Sequence, residues 1–265
     1  LRKGMVLTEL EPVEVVSEDG KLPPATPEHI AEMLTRIDPS VPESVAMQME
    51  QLLNKYANAF SKDEYDLGWT DLVKHSIDIG DHPPARQALR RVPMSQRAVI
   101  DKHVDEQLRQ GIIEPTQSPF AANLVIVKKS DGSTRACCDF RDLNQLSKRD
   151  CYPLPRMDQC LDALGGGNTI FTTLDLRNSY HQVAMEPKDI DKTALICHRG
   201  AFAYRTMPVG LVNSGATFQR LMDMVMSGLI FETCLVYLDD IVIFSRTWEE
   251  HLPRLEAVLK RILDT

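Results

Sequence analysis

Four residues, Tyr237-Leu238-Asp239-Asp240, separate two short apolar runs: Cys234-Leu235-Val236 before them and Ile241-Val242-Ile243-Phe244 after them. The runs have strand length, and their closeness reads as a β-hairpin. Two ionised carboxylates are costly to bury in such a stretch without partners. The pair therefore calls for a solvent-facing turn or a cation. In an extended strand, adjacent side chains point to opposite faces. Asp239 and Asp240 can serve one site together only if a tight turn bends the backbone between them.

The rest of the chain bounds what can surround that hairpin. It has 265 residues, 43% hydrophobic and 26% charged. This is a soluble globular composition, enough for one large core or two smaller domains. No stretch has the apolar length of a membrane span, and no signal peptide opens the chain. It starts at Leu1 and stops inside a helical pattern, which reads as a fragment of something longer. Cys137, Cys138, Cys151, Cys160, Cys197 and Cys234 show no zinc-type spacing and read as reduced intracellular thiols. The net charge of -8 argues against a nucleic-acid partner, but its distribution does not: residues 85–160 carry net +4, against -9 before and -3 after. That basic middle fits either a phosphate-contacting surface or a solvated face of mixed charge.

Residues 1–25 are acidic and proline-containing, and read as a linker or the tail of a preceding module. Helices are expected over Pro27–Ile37 and Ser44–Phe60, and a weak strand over Lys74–Ile79. Ser95 is the expected N-cap of a helix carrying Ile100, Val104 and Leu108, with Gly111 as its stop. Asn123–Lys128 and Thr134–Cys138 flank a turn sequence and predict a hairpin. A strand at Ile170–Leu174 ends in Asp175, and a hairpin is expected over Thr193–Cys197 and Ala201–Arg205. A helix follows over Asn213–Gly228. Thr247 and Glu250 form a capping box for a last helix, which Pro253 is expected to delay or kink. Hairpins and single helices without regular βαβ alternation predict an α+β fold with a largely antiparallel sheet.

Asp175 and the Asp239-Asp240 pair are the candidate chemistry. If the strand ending in Asp175 lies beside the hairpin, Asp175 and Asp239 face each other and can bridge two divalent cations. Mg²⁺ suits such oxygen ligands and leaves room for substrate phosphates. Two-metal phosphoryl transfer needs this arrangement. From spacing alone, a plain polar β-turn explains the pair slightly better.

A wider set of motifs resembles the reverse transcriptases of long-terminal-repeat retrotransposons, most closely the gypsy-like group. In order, these are Gly111-Ile112-Ile113-Glu114-Pro115, Ser118-Pro119-Phe120, Val127-Lys128-Lys129 with Asp131-Gly132, and Asp139-Phe140-Arg141 with Leu143-Asn144. Tyr152-Pro153-Leu154-Pro155-Arg156, Leu174-Asp175-Leu176-Arg177 and Ser179-Tyr180-His181-Gln182 follow. Lys192-Thr193-Ala194, Met207-Pro208, Gly210-Leu211, Asn213, Ala216-Thr217-Phe218-Gln219 and Val236-Tyr237-Leu238-Asp239-Asp240 complete the set. So many blocks in order make coincidence negligible.

The resemblance implies a right-hand polymerase fold of fingers and palm, with an antiparallel palm sheet and with thumb and RNase H absent. It places the reverse transcriptase domain at 85–265, with fingers over about 85–160 and part of 180–205 and palm in the remainder. An N-terminal helical extension takes 26–84. It implies RNA-directed and DNA-directed DNA synthesis with two Mg²⁺ ions, or Mn²⁺ in their place. Asp175, Asp239 and Asp240 match the catalytic and metal-binding triad. Lys128 and Arg135, seven residues apart, match the triphosphate-contacting pair, with Lys129 the substitute if the register shifts by one. Tyr180 matches the aromatic residue beneath the incoming sugar, where a bulky ring clashes with a 2′ hydroxyl; otherwise it is a core aromatic. Val209 and Gly210 fall in the nucleotide pocket, and Arg141, Asn144, Gln219 and Tyr237 near template or primer. A structural salt bridge explains Arg141 as well, and His181 reads as a packed strand-end residue. Val209 stands where these elements usually carry phenylalanine, and Ser214-Gly215 replaces the commoner Ala-Pro.

The implied partners are an RNA or DNA template with primer, deoxynucleoside triphosphates, and the rest of a polyprotein: thumb, RNase H, protease and integrase. No membrane is implied. The implied location is cytoplasmic, within virus-like particles, on a route to DNA integration. A non-catalytic nucleic-acid-binding remnant of the same fold is the alternative. An aspartic protease, hinted at by Ile77-Asp78-Ile79-Gly80, lacks the small hydroxyl residue which that class needs between Asp and Gly.

Overall fold

The structure, a computed structural model, describes residues 26–63, 66–128, 132 and 134–265. The expected linker at 1–25 and the alternative lysine, Lys129, lie outside them. In chain order come α1 (Glu28–Leu34), α2 (Glu43–Lys55), β1 (Thr70–His75), α3 (Met94–Arg109), β2 (Ile113–Pro115), β3 (Ala122–Lys128), β4 (Thr134–Cys138), α4 (Arg141–Leu146) and α5 (Met157–Gly165). Then follow β5 (Ile170–Asp175), β6 (Val183–Met185), β7 (Leu195–Cys197), β8 (Gly200–Tyr204), α6 (Ser214–Val225), β9 (Cys234–Tyr237), β10 (Asp240–Ser245) and α7 (Trp248–Leu263). Among the described residues, no helix is long and apolar enough to cross a membrane.

The chain divides into two compact units that interleave in sequence. Among the described residues, one comprises those up to Asp66 together with Pro155–Arg177 and Met222–Thr265; the other comprises those within Leu67–Leu154 and Asn178–Leu221. The second unit begins at Leu67.

The first unit is built on a three-stranded antiparallel sheet of order β5-β10-β9. Strand alternation decides its faces. Thr172 and Leu174 of β5 are in register with Ile243 and Ile241 of β10, and all four are buried. The α7 side chain His251 reaches this face, bonded to Thr172 Oγ1 at 2.8 Å and to Ser245 Oγ at 2.9 Å. The opposite face carries Phe171, Thr173 and Asp175, all exposed. Part of it is covered by α5, where Cys160 packs against Leu235 and Phe244. Helix α7 starts at Trp248, with Thr247 Oγ1 accepting from the Glu250 N–H. Pro253 lies inside the helix and does not delay its start, a departure from the expected delay. Burial of Leu255, Val258 and Leu259 outweighs the one hydrogen bond that proline removes.

The second unit holds a five-stranded mixed sheet of order β2-β8-β7-β3-β4, in which only β3 and β7 run parallel. The predicted β3–β4 and β7–β8 hairpins both form. Strand β1 occupies Thr70–His75 rather than Lys74–Ile79, and pairs in parallel with β6. Helix α3 is entered from Pro93, not capped by Ser95. Its end is as expected: Gly111 N–H bonds Leu108 O, Ile112 N–H bonds Gln107 O, and Gly111 takes φ +69°. This is the Schellman arrangement that glycine permits.

Candidate active site

The expected site residues fall into two groups, one in each unit. In the first unit, Asp175 ends β5 and Asp240 begins β10, and the two are direct register partners. Tyr237, at the end of β9, is the partner of Asp240 on its other side. Only Leu238 and Asp239 link the two strands. Leu238 takes φ +53°, uncommon for a residue with a side chain. The turn is tied down by Leu176 N–H donating to the Asp239 carbonyl at 3.2 Å. The tight bend expected from sequence therefore exists, but it is Asp240, not Asp239, that lies straight across from Asp175. Asp239 sits in the turn itself, half-buried, while Asp175 and Asp240 are exposed.

Two carboxylates directly opposed on one sheet face repel each other. A divalent cation is the natural counter-charge. The donors are all carboxylate oxygens, which suit Mg²⁺ or Mn²⁺ rather than zinc. Among the described residues, no three His, Cys, Asp or Glu side chains gather into a metal-binding group. The donor set fits the Mg²⁺ habit of using one or two carboxylates and leaving other positions to water and phosphate.

In the second unit, Lys128 is in register with Thr134, and Arg135 with Val127. The two cations thus stand on neighbouring strands, one step apart and on opposite faces of the ribbon. Both are exposed. Tyr180 stacks on Phe218, ring centroids 5.3 Å apart and planes at 28°. Val209 is exposed, and Gly210 takes φ +102°.

The remaining expected contacts have internal work. Arg141 grips Asp139 with Nε to Oδ1 and Nη2 to Oδ2, both at 2.7 Å. This is the structural salt bridge, one of the two readings open for Arg141. Asn144 bonds the backbone of Gly210 and Val212. Gln219 is 0% exposed, so the expected template contact is not what its packing offers. It lies on α6 beside Phe218 and Leu221, which also face inward. His181 is packed, as expected: its ring stacks on Tyr204, and Nδ1 lies 3.2 Å from Thr206 Oγ1.

Sequence reasoning missed three supports. Buried Asn123 accepts from Arg90 N–H and donates to Gln87 Oε1 and Ala88 O, fixing residues 87–90 against β3. Buried Asp189 accepts from Ile77 N–H and pairs with Lys192 Nζ at 2.7 Å. Arg220 pairs with Asp150 at 2.5 Å and lies 4.7 Å above the Tyr152 ring. Lys192 and Tyr152 belong to the motifs named above. Asp189 lies only three residues before Lys192, but the Ile77 backbone that both of them bond and the Arg220 that covers Tyr152 are far away in the chain, and no local spacing reveals those contacts.

Residues 126–265 match the family described as "Reverse transcriptase (RNA-dependent DNA polymerase)". The chain is 35% identical over 254 residues to the retrovirus-related Pol polyprotein from transposon 297 of Drosophila melanogaster, covering 90% of this chain and 24% of that protein. To the corresponding polyprotein from transposon gypsy of the same organism it is 31% identical over 230 residues, covering 84% and 22%. The chain thus spans under a quarter of the length of these curated relatives. Among solved structures, a prototype foamy virus protease-reverse transcriptase matches with TM-score 0.78 at 25% identity, over 89% of this chain and 31% of that one. A foamy viral protease-reverse transcriptase in complex with RNA/DNA hybrid matches with TM-score 0.77 at 22% identity, over 97% and 33%, a likeness of fold.

Proposed function

This chain belongs to the reverse transcriptase family, and from that premise we propose that it is the polymerase portion of a retrotransposon Pol polyprotein. It extends a primer 3′ end with deoxynucleotides on an RNA or DNA template. The observation that carries the reading is the direct pairing of Asp175 with Asp240 beside a two-residue turn that holds Asp239. Three carboxylates thereby share one end of one sheet.

In this reading, Asp175 and Asp239 are the principal metal ligands and Asp240 supports them. Two bound Mg²⁺ ions would lower the pKa of the attacking 3′ hydroxyl and stabilise the leaving pyrophosphate. Lys128 supplies a point charge to the triphosphate, and Arg135 a planar fork. Tyr180, backed by Phe218, presents a ring that excludes a 2′ hydroxyl. Val209 and Gly210 contact the nucleotide. Arg141, Asn144 and Gln219 are not assigned to nucleic acid, because their side chains serve the protein itself.

Primer extension by the chain in its polyprotein, with Mg²⁺, tests the proposal. The expected result is templated synthesis that Asp239→Asn lowers by at least about a hundredfold. Extension unaffected by that change would overturn the reading. Primer-template binding without aspartate-dependent extension would leave the non-catalytic remnant.

A further inference from the structure

Both ends of the Asn144 side chain are used on one loop. Nδ2 donates to the Gly210 carbonyl at 2.8 Å, and Oδ1 accepts from the Val212 N–H at 2.8 Å. An asparagine amide offers the same donor and acceptor as a peptide group. Helix α4 thus provides, through one side chain, the hydrogen bonds that a neighbouring strand would otherwise give. The gripped segment needs such help. It lies between β8 and α6, outside regular structure, and Gly210 has φ +102°, a conformation strained for any other residue. Its other supports include the Ser214 hydroxyl, donating to Pro208 O at 3.0 Å, the nearby Phe140 ring, and the Asn213 side chain, which donates to Lys148 O and accepts from the Asp150 N–H. Val209, beside Gly210, is 63% exposed. The clamp itself is anchored. Phe140 and Leu143 are buried, and Asn144 N–H bonds Phe140 O at 2.8 Å.

We infer that Asn144 is a positioning residue for nucleotide binding: without touching substrate, it sets the backbone of the Val209–Gly210 segment on which the incoming nucleotide rests. The inference depends on the proposed reading of Val209 and Gly210 as nucleotide contacts. It replaces the template or primer contact expected for Asn144.

Two variants separate the possibilities. Asn144→Ala removes both bonds. Asn144→Asp is isosteric, keeps the acceptor for Val212 N–H, and turns a carboxylate oxygen toward the Gly210 carbonyl. In the full chain, both variants raise the KM for deoxynucleotide about tenfold. Affinity for primer-template stays within about twofold, because phosphate contacts made elsewhere set it. Amide hydrogen exchange gives a readout without catalysis: the Val212 N–H exchanges faster in Asn144→Ala but stays protected in Asn144→Asp. Weakened primer-template binding with an unchanged nucleotide KM would overturn the inference in favour of direct nucleic-acid contact. Unchanged Val212 exchange in the alanine variant would also overturn it. Failure of the polymerase reading shows separately, as loss of Asp239-dependent extension in the parent chain. If the alanine variant does not fold, the aspartate variant carries the test through its KM.

Discussion

Asp139 is only 6% exposed, yet it stays ionised. The Arg141 guanidinium hydrogen-bonds both of its oxygens, and Arg90 comes within 3.3 Å of Oδ2. The Arg141 bonds are the main reason that the carboxyl is held down at about 2; burial opposes them. A carboxylate depressed in the folded state adds stability above its ordinary value of 3.8, and that stability is lost as pH falls toward 2. A lysine at 141 keeps a charge but not the two-pronged grip. Arg141→Lys should therefore raise the Asp139 pKa toward 3.8 and lower the unfolding midpoint at neutral pH by a few degrees. Carboxyl titration by NMR checks the first, and an Asp139 still titrating near 2 would show that Arg90 suffices. Sequence made the Asp139-Phe140-Arg141 motif visible, but not whether its arginine turns inward or outward. The same ambiguity covered Asn144 and Gln219. Polar residue types name a capacity to bond, and only packing chooses the partner.

At the scale of elements, the β9–β10 hairpin depends on an unusual link. Leu238 adopts φ +53°, where a branched β-carbon is far worse than an unbranched one. Leu238→Val should cost about 1–3 kcal/mol and misalign Asp239, whereas Leu238→Gly should not lower the unfolding midpoint. Equal midpoints for the valine and glycine variants would show that the turn carries no strain. This hairpin was legible because two apolar runs bracket a polar pair, and β3–β4 because Asp131-Gly132 lies between two alternating runs. Strand β1 was not. Its partner, β6, is more than a hundred residues on, and its pairing slips between Thr70 and Lys74, so no clean alternation marks it. At α3 the expected cap, Ser95, gave way to an earlier start at Pro93. The fixed φ of proline prevailed, at -55° just before the first helical residue. At α7, Pro253 was overruled by the burial of three apolar side chains farther along.

At the scale of the whole molecule, three histidines share one condition. His75 is buried with Nδ1 2.8 Å from Thr217 Oγ1; His181 is packed against Tyr204; His251 is held between Thr172 and Ser245. Burial is the leading cause in each case and pushes each down to about 4 from 6.5. Arg254 reinforces the shift at His251 and His103 does so at His181, while Asp189 and Asp150 oppose it at His75. For His251 the bonding fixes the neutral tautomer. The Ser245 hydroxyl is spent on Thr247 O at 3.0 Å, so Nδ1 must donate to Ser245 and Nε2 must accept from Thr172. A base whose folded pKa lies below its unfolded value remains neutral in the fold while the unfolded chain takes up protons. Its stabilising effect is therefore whole above pH 6.5 and disappears between 6.5 and 4. Each histidine can withdraw up to roughly 3 kcal/mol across that window, and a domain has only about 5–15 kcal/mol in total. Because His75 and His181 belong to one compact unit and His251 to the other, both units weaken together. The thermal midpoint should be level from pH 8 to 6.5 and then fall steeply, well before the ordinary carboxylate range. His251→Gln, whose amide can also donate and accept, should make the fall shallower by about one histidine's share. A midpoint that stays level down to pH 4 would mean that these rings protonate in place, their burial relieved by local opening.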